Sequence, residues 1–162
     1  MKTNDFQKRR ALQLWEEGQD YHINGDLDRA LSLYSQSLAV CPTAEAHTFR
    51  GWAFSYQGKL EEAIDECMSA IEVDPSMGNP YNDIGSYLIT LGRPDDAVEW
   101  LERAKSAKRY DVRHYPCMNL GRIYAAKGLA LRAIREFEEA LEYAPDEPRC
   151  LAAIQELRNS IQ

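Results

Sequence analysis

The sequence predicts an all-α solenoid of stacked helix hairpins, and three observations predict it. Small residues recur at a fixed interval: Gly18, Gly51, Gly85 and Gly121 are 33, 34 and 36 positions apart, and Ala30, Ala63, Ala97 and Ala133 repeat the same three intervals. Between them apolar residues keep helical spacing, as in Leu131, Ile134, Phe137 and Leu141. A short glycine-containing break then divides each period in two: Asn24-Gly25-Asp26, Gln57-Gly58-Lys59, Leu91-Gly92-Arg93 and Lys127-Gly128. A two-helix unit of this length cannot bury its apolar face alone, so successive units stack into a right-handed superhelix with a concave surface.

The elements follow in order as one domain over residues 1–162. Four repeats are expected at about 11–43, 44–77, 78–113 and 114–147. Glycine at each break suits a helix C-terminus, because it takes the left-handed backbone conformation without penalty. Pro94, just past Gly92, fits the first turn of the next helix, where a missing N–H is not needed. Gly and Ala mark the crossing points at which paired helices approach to roughly 8 to 10 Å, with Tyr21, Phe54 and Tyr124 filling the space between them. The final segment, about 147–160, keeps helical spacing through Leu151, Ile154 and Leu157 but has Gln155 in the glycine position. It reads as a helix that caps the last repeat.

Composition narrows the function. A hydrophobic content of 44% and a charged content of 28% exclude a disordered chain, and a net charge of -7 disfavours nucleic acid as a partner. Cys41, Cys67, Cys117 and Cys150 form no CxxC pair, so neither a zinc site nor a redox motif is expected. No apolar run reaches signal-peptide or membrane-spanning length. A cytoplasmic protein without a membrane partner is the expectation.

The fourth unit reads Cys117, Leu120, Gly121, Tyr124, then Ala133, Phe137, Ala140 and Pro145. Apart from Cys117 in the Trp position, this resembles the tetratricopeptide repeat, whose pattern is W-x2-L-G-x2-Y, A-x3-F and P. Unit three offers Tyr81, Ile84, Gly85, Leu88, Ala97, Leu101 and Ala104, and unit one Leu14, Gly18, Tyr21, Ala30, Tyr34 and Pro42. Unit two is the loosest, with His47, Arg50 and Cys67 where the family has Trp, Leu and an aromatic.

The resemblance implies a non-enzymatic protein-interaction module without cofactor, whose groove is lined by the second, fifth, ninth, twelfth and thirteenth positions of each first helix. Carried over, these give Leu12, Trp15, Gln19, His22 and Ile23 in repeat one, and Glu45, Thr48, Trp52, Ser55 and Tyr56 in repeat two. Repeats three and four give Asn79, Asn82, Ser86, Ile89 and Thr90, then Tyr115, Met118, Arg122, Ala125 and Ala126. Such a set suits a protein or peptide ligand, because amides bond an extended backbone and aromatic side chains dominate binding energy. The family's carboxylate clamp is absent: its Lys, Asn and Arg positions hold Trp15, Gln19, Phe49, Asn79 and Asp83 in one frame, and Thr48, Trp52, Asp83, Tyr115 and Asn119 in the other. The alternative to an adaptor is a self-association module that builds a homo-oligomer.

One stretch interrupts the rhythm. "AKSAKRYDVRHYP", residues 104–116, concentrates basic residues and two tyrosines, and the step from Ala97 to Gly121 is 24 residues against 21 and 22 in the earlier joints. "KRYDVR" is either an extension of the preceding helix or a longer loop, and either a solvated joint or a contact surface. As a contact surface, Arg109 and Arg113 form an edge patch which, with Arg122, favours an acidic or phosphorylated partner segment. Catalysis finds no support, since His22, His47 and His114 stand in different repeats. His114 with Cys117 supplies only two of the three or four ligands a zinc site requires.

Overall fold

The computed structural model describes residues 5–162, and these form helices joined by short turns. Four antiparallel hairpins follow one another: α1 (Asp5–Ile23) with α2 (Leu27–Val40), α3 (Ala44–Tyr56) with α4 (Leu60–Val73), α5 (Asn79–Thr90) with α6 (Pro94–Ser106), and α7 (His114–Ala126) with α8 (Ala130–Tyr143). A single helix, α9 (Pro148–Ile161), packs on α8. The first helices also touch one another in succession, α1 to α3 to α5 to α7, and so build one wall of a solenoid.

Local chemistry sets the boundaries. Asp26 accepts from the Arg29 amide at 3.2 Å to cap α2, and Thr43 accepts from the Ala46 amide at 3.2 Å to cap α3. All four hairpin turns close on a glycine with φ between 74° and 81°. At three of the crossings the glycine of the first helix faces a large residue of the second, Gly18 on Tyr34, Gly85 on Leu101 and Gly121 on Phe137, whereas Gly51 meets the expected alanine through the Ala63 carbonyl. A Cβ on Gly121 would fall 2.8 Å from the Phe137 ring, and one on Gly85 would fall 2.5 Å from Leu101. One contiguous core runs from Ala63 through Leu101, Leu120 and Phe137 to Ile154.

The second repeat departs from the family pattern and compensates with charge. His47 Nδ1 and Arg50 Nη2 converge on Glu66 of α4 at 2.8 and 2.6 Å. Burial pushes the Glu66 carboxyl up, but its hydrogen bonds to His47 and Arg50 and the Arg50 charge hold it below its ordinary value.

The long joint is a loop, and it is structural. Arg109 N donates to the Ser76 carbonyl at 2.9 Å and Gly78 N to the Arg109 carbonyl at 3.0 Å, stitching the loop to the preceding inter-repeat turn. Tyr110 is buried against Gly78, where even a Cβ would come within 2.3 Å of its ring. The two arginines expected at a basic edge are both engaged within the chain. Arg109 bridges Glu45 and Asp74 at 3.0 and 2.7 Å, while Arg113 donates to the Lys105 and Ala107 carbonyls at 2.6 and 2.7 Å and so closes the end of α6. The C-terminal helix also corrects an expectation: Cys150 and Ile154 face α8, Leu157 is half-buried, and Leu151 is about half exposed to solvent.

Candidate peptide-binding groove

The wall formed by α1, α3, α5 and α7 carries two adjoining clefts. The first, of about 430 Å³, is lined by Gln19, His22, Ile23, Gly25, Leu27, Phe49, Trp52 and Tyr56. Its aromatic rings brace one another: Phe49 lies 4.7 Å from Trp52, and His22 meets Tyr56 edge-on at 5.6 Å. His22 Nδ1 shares a 3.1 Å hydrogen bond with the Tyr34 hydroxyl, and burial lowers the imidazole pKa, which favours the neutral ring. Tyr56 is 74% exposed at the rim.

The second cleft, of about 400 Å³, shares Trp52 and Tyr56 as a wall and is otherwise polar, with Ser55, Asn82, Asp83, Ser86 and Thr90 alongside Leu60 and Tyr87. Asp83 lies at its base. The Trp52 indole N–H donates to Asp83 Oδ2 at 2.6 Å, and the Asn82 amide contributes a further hydrogen bond. Asn119 Nδ2 in turn donates to Asn82 Oδ1 at 3.1 Å, so a polar chain crosses from α3 through α5 to α7. Burial raises the Asp83 carboxyl to about 7 despite these donors.

The remaining residues carried over from the family pattern divide. Trp15 is half-buried and packs edge-on against Phe49 at 5.3 Å, and Asn79 and Ser86 are half-buried on α5. Tyr115 and Arg122 are exposed on α7, with the Tyr115 ring tilted against His114 at 4.1 Å. Two assignments are corrected. Thr48 is fully buried with its hydroxyl donating to the Ala44 carbonyl at 2.7 Å, and Met118 lies in the core. In place of these two, the next residues, Phe49 and Asn119, reach the first cleft and the polar chain, and in α5 Asp83 joins Asn82 in the second cleft. Helical spacing contains that signal: Glu45, Phe49, Trp52 and Tyr56 form one i, i+4, i+7, i+11 stripe, as do Asn79, Asp83, Ser86 and Thr90.

One cluster elsewhere has metal-ligand chemistry. Cys117, Glu136 and Glu139 bring ligand atoms within 4.8 Å of one another. The Lys105 ammonium already sits among them, 3.1 Å from Glu136 and 2.8 Å from Glu139, in the place a cation would take. Among the described residues no helix is long and apolar enough to cross a membrane.

Comparison with known proteins agrees with this architecture. Sequence profiles of the tetratricopeptide repeat match residues 16–80, 79–111 and 115–147. The TPR repeat-containing thioredoxin TTL4 of Arabidopsis thaliana is 31% identical over 81 residues, 49% of this chain and 12% of its own length. The small glutamine-rich tetratricopeptide repeat-containing protein 2 of Mycosarcoma maydis is 32% identical over 91 residues, 56% of this chain and 26% of its own length. The chain thus spans about a quarter of the second relative's length and about an eighth of the first's. Among solved structures, Pseudomonas aeruginosa pilF superposes with a TM-score of 0.85 at 22% identity, covering 96% of this chain and 69% of that one. The second TPR of Spaghetti (RPAP3), bound to the HSP90 peptide SRMEEVD, superposes at 0.59 and 24% identity, covering 64% and 99%. At these identities the likeness is one of fold. With profiles matching from residue 16 to 147 and helix hairpins in the same register, the chain belongs to the tetratricopeptide repeat family, whose members generally mediate protein–protein interactions.

Proposed function

We propose that this chain is a non-enzymatic adaptor that holds an extended segment of a partner protein along the wall formed by α1, α3, α5 and α7. The observation that carries this reading is the pair of clefts sharing Trp52 and Tyr56, one aromatic and one polar. An apolar side chain of the ligand enters between His22, Phe49 and Tyr56, and the adjoining backbone passes over Ser55, Ser86 and Thr90, whose hydroxyls offer hydrogen bonds. Bound ligand is seen in the fold relative that carries the HSP90 peptide, which supports a peptide as the ligand class. Two of the three arginines behind the expected preference for acidic segments are paired internally. Arg122 is therefore the position at which an acidic or phosphorylated residue would be paired.

The test is selection from a displayed library of random peptides on the full chain, followed by titration against variants. Tyr56→Ala, at an exposed rim position, should leave the melting temperature unchanged and weaken selected peptides about tenfold, as an interface anchor does. Leu131→Ala on the exposed face of α8 should change nothing. Peptides indifferent to Tyr56→Ala would place binding elsewhere. A concentration-dependent rise in mass by light scattering, relieved by Tyr56→Ala, would favour self-association through the same wall.

A further inference from the structure

Asp83 has hydrogen-bond donors but no counter-charge. It is 8% exposed, and its partners are the neutral indole of Trp52 and the neutral amide of Asn82. A carboxylate can accept about four hydrogen bonds, so acceptor capacity remains, and the group lines the open polar cleft. The titratable neighbours whose fields act on it are Cys67 of α4, Tyr87 of α5 and Tyr110 of the long joint, none of them cationic. A buried carboxylate without a partner of opposite sign is unfavourable, and either a proton or a bound cation relieves it.

A second, independent observation lies in the same cleft. The Tyr87 hydroxyl is buried with the Ser55 hydroxyl beside it as an acceptor, and no donor among the described residues reaches its oxygen. Ser55, which stands beside it, directs its own hydroxyl to the Trp52 carbonyl at 2.8 Å. A buried phenol oxygen that no donor reaches keeps acceptor capacity for a group from outside the chain. The cleft walls add the faces of Trp52 and Tyr56, and aromatic faces attract cations.

We propose that the polar cleft over Asp83 is a pocket for a lysine or arginine side chain of the partner peptide. The ammonium or guanidinium group donates to Asp83 and to the Tyr87 oxygen, while its methylene stem lies along Trp52 and Tyr56. The aromatic cleft next to it then takes an apolar residue of the same peptide. This rests on the groove reading above and assigns it a specificity: a basic residue beside an apolar one. Charge complementarity supports that occupant, since the chain carries a net charge of -7 and the ionisable group at the base of this cleft is a carboxylate.

Random peptides of about a dozen residues, long enough to cross the paired clefts in extended form, would be selected on the full wild-type chain and, in parallel, on Asp83→Asn. The wild type should enrich Lys or Arg at one position, and Asp83→Asn should lose that enrichment while keeping the apolar one. Replacing the basic residue of a selected peptide by norleucine or citrulline should weaken wild-type binding by about tenfold to a hundredfold, the range of a hydrogen bond to a charged group, and should barely affect Asp83→Asn. Tyr87→Phe, which keeps the ring in the core, should reduce affinity for the basic peptide several-fold without lowering the melting temperature; it supplies the same reading if Asp83→Asn does not fold. Peptides sensitive to Tyr56→Ala but without basic preference would overturn this proposal and leave the groove reading standing. A basic preference that survives both Asp83→Asn and Tyr87→Phe would also overturn it. Peptides indifferent to Tyr56→Ala, or no peptides at all, would overturn both.

Discussion

Asp83 works against the fold that contains it. Its carboxyl, with an ordinary value of 3.8, is pushed to about 7 by burial. The sign of the linkage follows from proton counts: between about pH 4 and 7 the folded chain holds a proton that the unfolded chain has released, so this group's contribution to stability falls as pH rises through that window and levels off above it. Asp83→Asn keeps an oxygen to accept from Trp52 and removes the charge. At pH 8 it should be more stable than the wild type by a few kcal/mol, and the advantage should vanish near pH 4. Urea denaturation of the two proteins at both pH values measures this, and equal stability at pH 8 would mean that the carboxylate is compensated. A residue that destabilises its own helix is a common mark of a functional site. It was legible in the sequence only in part. The stripe through Asn79, Asp83, Ser86 and Thr90 could have been read from spacing, but the burial of Asp83 depends on neighbouring elements, with Trp52 of α3 donating to it and Cys67 of α4 near it, which spacing within one helix does not report.

At the scale of elements, the sequence carried the helices well and the joints poorly. Turn glycines, caps and crossing glycines were readable because each depends on residues close in the chain or one repeat away. The 107–113 loop was not, because its role rests on contacts far back in the chain: Tyr110 on Gly78 and Arg109 on Asp74 of the preceding inter-repeat turn, and Arg109 on Glu45 of α3. Tyr110→Ala should therefore cost about 3 kcal/mol, the scale of emptying a buried aromatic site, as measured by chemical denaturation. An effect within about 0.5 kcal/mol would return the loop to a mere spacer. The capping helix makes a finer distinction. Ile154→Ala should cost about 3 kcal/mol because its side chain is buried in the core, whereas Leu151→Ser should fall within about 0.5 kcal/mol because its side chain is half in solvent. The reverse order in thermal melts would mean that α9 is rotated about its axis.

For the whole molecule, periodicity fixes the wall and the wall fixes where a ligand can lie. The first helices stack so that their i, i+4, i+7, i+11 stripes align, which brings Trp52 and Tyr56 of one repeat beside Asp83, Ser86 and Thr90 of the next. The chain contains its own reporters for this geometry. Trp52 hydrogen-bonds Asp83 in the groove, while Trp100 on α6 packs against Tyr81 beneath Arg103, in the second-helix layer. The most direct measurement is an NMR titration of the 15N-labelled full chain with a selected peptide, following the three indole N–H signals and the side-chain amides of Asn82 and Asn119. Groove binding predicts large shifts for Trp52, Asn82 and Asn119, with Trp100 unmoved; shifts at Trp100 or on α8 and α9, with the Trp52 indole unchanged, would contradict it.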